Sequence, residues 1–345
     1  MAENKAQEFH KKVTVAITHD HTMYGLAARR SRGERAVFST HYAPLIRQGG
    51  VNVIGWVVGG DPPFFGIENV NPWWGSLELL DMLWQEAEES QNTLAICLNC
   101  QDIDNAVADG KIAIIITMEG GVALEEGLYP ESLVNLRILY RLGLRSLQFV
   151  GQDWNRLIDA SEEHPYPSKG LTSFGKNVVR EMNQLGMVID MAHIPDPDPV
   201  FRDIIEISQD PVIDSHRGVR GVTDIPRNIS DERIKVIAKT GGVIGLQFFS
   251  MVLTNKSNRR ATVDDLVRHI DHIVEVAGVN HVSLGPDFLE SNLTKRDPEH
   301  YAQGIEEITK LPRVTEALVS RGYSDTDVRK ILGENILRVY RQVIG

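Results

Sequence analysis

Apolar residues along the 345-residue chain fall into short runs of strand length, separated by longer stretches with the periodicity of amphipathic helices. Eight runs read as strands: VTVAIT (13–18), VNVIGWVV (51–58), IAIIITM (112–118), SLQFV (146–150), MVIDMAH (187–193), PVIDSH (211–216), VIGLQFF (243–249) and HVSLGP (281–286). Between them SLELLDMLWQEAEES, PESLVNLRILYRLG, FGKNVVREMNQLG, VFRDIIEISQD, SDERIKVIAKTG and TVDDLVRHIDHIVEVAG read as helices. Several open on a Ser, Thr or Asp cap and close at a glycine that can take the left-handed conformation. Mostly apolar strands, each followed by a helix, imply a parallel sheet covered by helices. Eight such units favour a closed (β/α)8 TIM-type barrel over an open doubly wound sheet. No G-x-G-x-x-G follows the first strand, which removes the commonest dinucleotide site. No linker or shift of composition divides the chain, so residues 13–345 read as one barrel domain behind a charged N-terminal extension, residues 1–12.

Composition narrows the function. The chain is 42% apolar, enough for a substantial core, and its net charge of −11 with dispersed basic residues argues against nucleic acid as a partner. The densest basic cluster, AARRSRGER (27–35), reads as a solvated face in a loop. No apolar run has the roughly 18 residues a membrane span needs, and MAENKAQEFHKK is too charged for a secretory leader, so the expected location is the cytoplasm. The two cysteines, Cys97 and Cys100 in ICLNC, exclude a disulfide scaffold; without a second C-x-x-C they read as semi-buried thiols at a strand end rather than half a zinc site.

In a (β/α)8 barrel the active site lies at the carboxyl ends of the strands. There this sequence places His19, Asp20 and His21, then Glu119, His193, His216 and Asp287. Imidazole and carboxylate are ligands for zinc or a similar divalent ion. Residues i and i+2 of a strand share a side, so His19 and His21 can grip one ion while Asp20 points away. His193 and His216 end neighbouring strands, and Glu119, followed by two glycines, has two oxygens with which to bridge two ions. Two such ions would supply a hydroxide nucleophile and polarise a carbonyl. By contrast His269 and His272 in VRHIDHIVE sit on a helix and read as surface or packing residues.

The stretches TMEGG, GLTSFGKNVVREMNQLGMVIDMAH, PVIDSHRGVRGVTDIPRN, GGVIGLQFF and DHIVEVAGVNHVSLGPDF, in this order, resemble the membrane (renal) dipeptidase family of zinc-dependent, amidohydrolase-like barrels. The likeness extends from about residue 13 to 340. It implies a metallo-dipeptidase with two zinc ions. Glu119 would be the bridging glutamate, and His193 and His216 the histidines of the second ion. Asp287 in LGPDF would carry the proton from the attacking water to the leaving amine. Arg227 in IPRN would hold the terminal carboxylate of the dipeptide, a role that suits its two-pronged guanidinium. The resemblance further implies a dipeptide-like substrate cleaved by a metal-bridged hydroxide. It also brings in a homodimer, although no periodicity marks a dimer face.

Two departures separate the chain from that family. The strand-one motif D-G-H-x-D is here I-T-H-D-H, which admits two registers: His19 and His21 as the pair of ligands, or His21 with Met23. The first is preferred because H-x-H gives two ligands on one side. An imidazole in place of a carboxylate raises the charge of the site by one, so the bound water should ionise more readily and the first ion bind more weakly. After the fourth run, FVGQDWNRLIDA lacks the histidine that contacts the reacting carbonyl, leaving Gln152 or Trp154 to meet substrate. The loop GGDPPFFGIENVNPWWG, with Trp73 and Trp74, either lines the substrate entrance or packs under itself. These departures open a second reading, a related hydrolase of modified dipeptides, N-acyl amino acids or lactams. Retention of Glu119, His193, His216 and Asp287 counts against a decayed barrel that merely binds.

Overall fold

The computed structural model describes residues 2–21, 24–61, 70–127, 129, 131–151, 155–158, 169–196, 199–256, 259–289 and 298–345, with backbone alone at 2–4 and 24. Among these, nine strands pair in parallel: β1 (Val15–Asp20), β2 (Val51–Gly60), β3 (Leu94–Ile96), β4 (Ile112–Glu119), β5 (Leu144–Gln148), β6 (Val188–Asp190), β7 (Ile213–Arg217), β8 (Val243–Leu246) and β9 (Val282–Leu284). Neighbours run β2-β1-β9-β8-β7-β6-β5-β4, and β4 returns to pair with β2, so eight strands close a barrel. These eight are the eight apolar runs. The ninth, β3, escaped the sequence reading because three residues carry no period. It lies against the first residues of β4, on the edge that β5 takes over from Ile116 onward.

All six anticipated helices form, as Pro72–Glu89, Val134–Arg141, Ser173–Leu185, Pro199–Ile207, Asp231–Lys239 and Val263–Ala277. The caps are real: Thr172 and Ser230 accept from the backbone N–H three residues on, Thr262 and Asp265 form a reciprocal capping box, and Gly186 ends its helix at φ 68°. Further helices include Ala2–His10, Cys100–Ala108, Pro312–Arg321 and Asn335–Val343. The first of these is tied to the body by His10, whose Nδ1 lies 2.7 Å from Thr315 Oγ1.

Period-two alternation sorts the strand residues into two buried clusters. Val15, Ile17, Ile54, Ile114 and Ile116 face the surrounding helices. Ala16, Val53, Ala113, Ile115, Val188, Ile213 and Val243 face inward, where they meet Ile336, Val339, Tyr340 and Val343 of the last helix. That helix therefore plugs the amino end of the barrel and leaves the carboxyl end to the site.

One expectation is corrected here. Residues 24–31 form a helix, and Arg30 of the basic cluster is buried, donating to Glu86, to Gln85 (2.6 Å) and to Glu89 (2.9 Å). A cation among three acceptors is a structural pin, which composition alone did not distinguish from a solvated arginine. Cys97 follows β3 and Cys100 opens the next helix, both buried and free. No helix among the described residues is long and apolar enough to cross a membrane.

Candidate metal centre

The inward series on β4 runs Ala113, Ile115, Thr117 and then Glu119, so plain alternation delivers the glutamate to the mouth. On β1 it would not. Thr18 faces inward, donating to Ser215 O at 2.6 Å, which would turn His19 and His21 outward. However, Ile17 lies opposite Ile54 and Asp20 opposite Trp56, one residue more on β1 than on β2. This bulge resets the alternation and brings both imidazoles inside. Strand β7 repeats the device between Asp214 and Arg217, and His216 enters beside Ser215.

The turns beyond the strands are held in demanding conformations. His193 (φ 65°) and Asp287 (φ 59°) occupy the left-handed region, at a cost of order 1–3 kcal/mol for a non-glycine residue. Their surroundings enforce it. Asp190 Oδ1 accepts from Ala192 N and Ser215 N, each at 3.0 Å, while Arg217 and Arg233 both donate to Ile194 O, at 2.8 and 2.9 Å. Around Asp287, the Tyr301 hydroxyl donates to its carbonyl and accepts from Leu289 N, both at 2.9 Å. Gly120, next to Glu119, has φ 93°, and a Cβ there would overlap the Asp61 carboxylate.

Seven donor atoms converge in this mouth. His19 Nε2 and His21 Nε2 are 2.9 Å apart and lie 3.1 and 2.7 Å from Glu119 Oε2. The other oxygen, Oε1, is 3.0 Å from His193 Nε2, which is 2.8 Å from His216 Nε2. Asp287 Oδ1 is 3.8 and 3.5 Å from His19 and His21. Around a tetrahedral zinc with bonds of about 2.0–2.1 Å, donors sit about 3.3 Å apart, close to these spacings. Lone pairs of two imidazoles aimed at one another need something positive between them, a proton or a cation. The donor set therefore fits divalent ions, with His19, Glu119 and His216, or His19, His21 and Asp287, forming groups compact enough to hold one.

Electrostatics agree. Burial alone would raise Glu119, but His21, His19 and His193 outweigh it and hold the carboxyl well below the usual range. Burial, with His19 and His193 nearby, pushes His216 well down, so it is neutral, the form that ligates. His19 is opposed by burial yet raised by Glu119, Asp287 and Asp190, so the carboxylates around this imidazole favour positive charge there.

Arg227 lies against His193, with Nη1 3.5 Å from Nδ1 and Nη2 3.4 Å from Nε2. The structure thus brings His19, His21, Glu119, His193, His216, Asp287 and Arg227 into one mouth. Met23, Gln152 and Trp154 lie outside the described residues, as do positions 62–69 of the aromatic loop; Trp73 is half-buried and Trp74 exposed. The sequence reading missed Gln247, which is fully buried and donates to Asp287 Oδ2 at 2.7 Å. The signal lies in the alternation: Val243, Gly245 and Gln247 continue the inward period of β8, but glutamine is not among the usual metal-ligand residue types.

His269 proves to be a packing residue with a second duty. Its Nδ1 accepts from Val219 N at 2.8 Å and Nε2 donates toward Leu253 O at 3.2 Å, bracing the loop that carries Arg227. Burial lowers this imidazole to about 4. An unfolded chain takes up the proton below about 6.5, the folded one only near 4, so this stability is complete above that range and lost as pH falls through it. Between pH 7 and 4, denaturant titrations should show the wild type losing about 3 kcal/mol more than His269→Asn, which keeps an acceptor for Val219. Parallel losses would dismiss His269 as the source.

A sequence profile described as membrane dipeptidase, peptidase family M19, matches residues 4–344. The dipeptidase tcpJ of Claviceps purpurea (strain 20.1) is 31% identical over 268 residues, which amount to 78% of this chain and 60% of that protein. The chain thus spans less than two thirds of this relative. Among solved structures, the probable dipeptidase PvdM of Pseudomonas aeruginosa superposes with a TM-score of 0.81 at 20% identity, covering 99% of this chain and 98% of that one. Dipeptidase AC, a metallo peptidase of family M19, gives 0.79 at 24% identity, covering 96% and 99%. At such identities these two show the shared fold.

Proposed function

The chain belongs to the membrane dipeptidase family, peptidase family M19, and on that premise we propose that it is a metallo-dipeptidase hydrolysing the amide bond of unblocked dipeptides. Two divalent ions, zinc by preference, would be held by His19, His21 and Glu119 on one side and by Glu119, His193 and His216 on the other. The observation that carries this reading is the division of the Glu119 carboxylate, with Oε2 toward His19 and His21 and Oε1 toward His193. The name of the Claviceps relative supports it. Two buried free cysteines suit a reducing compartment, in keeping with a cytoplasmic enzyme.

When bound, the ions would polarise the scissile carbonyl and acidify a water. Asp287 Oδ1, facing the His19 and His21 side, is placed to take the proton from the attacking water and return it to the leaving amine as the C–N bond breaks. The Arg227 guanidinium lies 3.4 Å from a proposed metal ligand. One residue of chain spans about 3.8 Å, so a carboxylate one residue beyond the scissile bond can reach it. That distance is the basis for restriction to dipeptides.

The purified protein, reloaded with zinc, should bind two equivalents and cleave dipeptides with a free carboxyl end in preference to their C-terminal amides. Arg227→Ala should raise KM for free dipeptides by about 10- to 100-fold, the worth of a charged hydrogen-bonded pair, and barely alter that for amides. Fewer than one bound equivalent, or no cleavage at all, would overturn the reading; equal effects on both substrates would remove Arg227 as the anchor.

A further inference from the structure

We propose that Gln247 is a positioning residue that couples the substrate-carboxylate anchor to the proton carrier, its amide bridging Arg227 and Asp287. The inference rests on the dipeptidase reading above and deepens it. Gln247 is fully buried one residue beyond β8, and its own N–H donates to Arg217 O at 3.0 Å, so the backbone is fixed. Its Nε2 donates to Asp287 Oδ2 at 2.7 Å, and its Oε1 accepts from Arg227 Nε at 3.4 Å. This orientation of the amide is the only one its neighbours allow. Flipped, its carbonyl would face a carboxylate oxygen and its NH2 a guanidinium N–H, two repulsions in place of two attractions.

The bridge divides the work of both partners. With Oδ2 of Asp287 held by the amide, Oδ1 is the oxygen left facing His19 and His21, where the proton has to be exchanged. With Nε of Arg227 directed to Gln247, the terminal nitrogens, which lie against His193, are the pair that meets a carboxylate end-on. The amide is the hydrogen-bond donor that fixes Oδ2, and with it the direction of the carboxylate. Glutamine has the length and the mixed donor and acceptor ends that this requires. Glutamate lacks the donor, methionine lacks both, and asparagine falls a methylene short.

The test is steady-state kinetics on a free dipeptide, with bound metal and Tm measured for each variant. Gln247→Met should lower kcat about 10- to 100-fold and raise KM severalfold, with two metal equivalents retained. Gln247→Glu keeps the acceptor for Arg227 but sets like charge against Asp287. It should lose kcat to a similar extent with KM within about twofold of wild type. Placed on Asp287→Asn, Gln247→Met should lower kcat no further, because its effect on turnover passes through that carboxylate. Should the methionine variant not fold, Gln247→Asn takes its place with the same expectation. Wild-type kcat and KM in Gln247→Met, or losses that multiply in the double variant, would overturn the proposal while leaving the dipeptidase reading intact. A wild-type enzyme inactive on every dipeptide would overturn both.

Discussion

Asp287→Asn is expected to lower kcat on dipeptides by about a thousandfold, within the range that general acid–base catalysis contributes, while bound metal and KM stay near wild type. The substitution preserves shape, and Gln247 Nε2 can still donate to the remaining side-chain oxygen, so the left-handed turn and its Tyr301 clamp have no reason to move. What is lost is the capacity to accept a proton. The same oxygen, Oδ1, lies in a group with His19 and His21 compact enough to hold an ion. Metal content decides between the two duties. Loss of kcat with two equivalents retained supports the proton carrier, loss of one equivalent makes Asp287 a ligand, and turnover within tenfold of wild type refutes both.

Much of this site was legible because a barrel imposes one rule on every strand: chemistry collects at carboxyl ends. Glu119 follows from that rule plus simple alternation along β4. His19 and His216 follow from the rule but not from alternation, since each enters the mouth through a bulge that no residue pattern announces. Two further layers were hidden. Interactions between distant segments, such as Arg30 with Glu86 or the last helix against inward strand residues, depend on closure of the whole barrel. Residues that act by holding others, Gln247, Asp190 and Tyr301, belong to types that ordinarily pack or solvate, and only their partners reveal them.

Glu119→Gln should be the most damaging single change in the site. The amide copies the outline of the carboxylate but replaces an ionised pair of acceptors with one oxygen and one NH2. Glu119 is ionised in spite of complete burial, because three histidines draw it down, and that charge is what two cations would share. Removing it would leave any bound ion with imidazoles alone on this side of the mouth and would turn an N–H toward it. Bound zinc should therefore fall from two equivalents to less than one, and dipeptide turnover to below about one part in ten thousand of wild type. Thermal stability supplies a readout independent of turnover. Saturating metal at a thousandfold over Kd stabilises the folded state by about 4 kcal/mol per ion. Chelation should then lower the wild-type Tm on the order of 5–10 °C. The Glu119→Gln variant should already melt near the chelated wild type and ignore the chelator. A variant that keeps two equivalents and responds to chelation like wild type would show that the ions do not depend on Glu119, and the bridge would have to be sought elsewhere in the mouth.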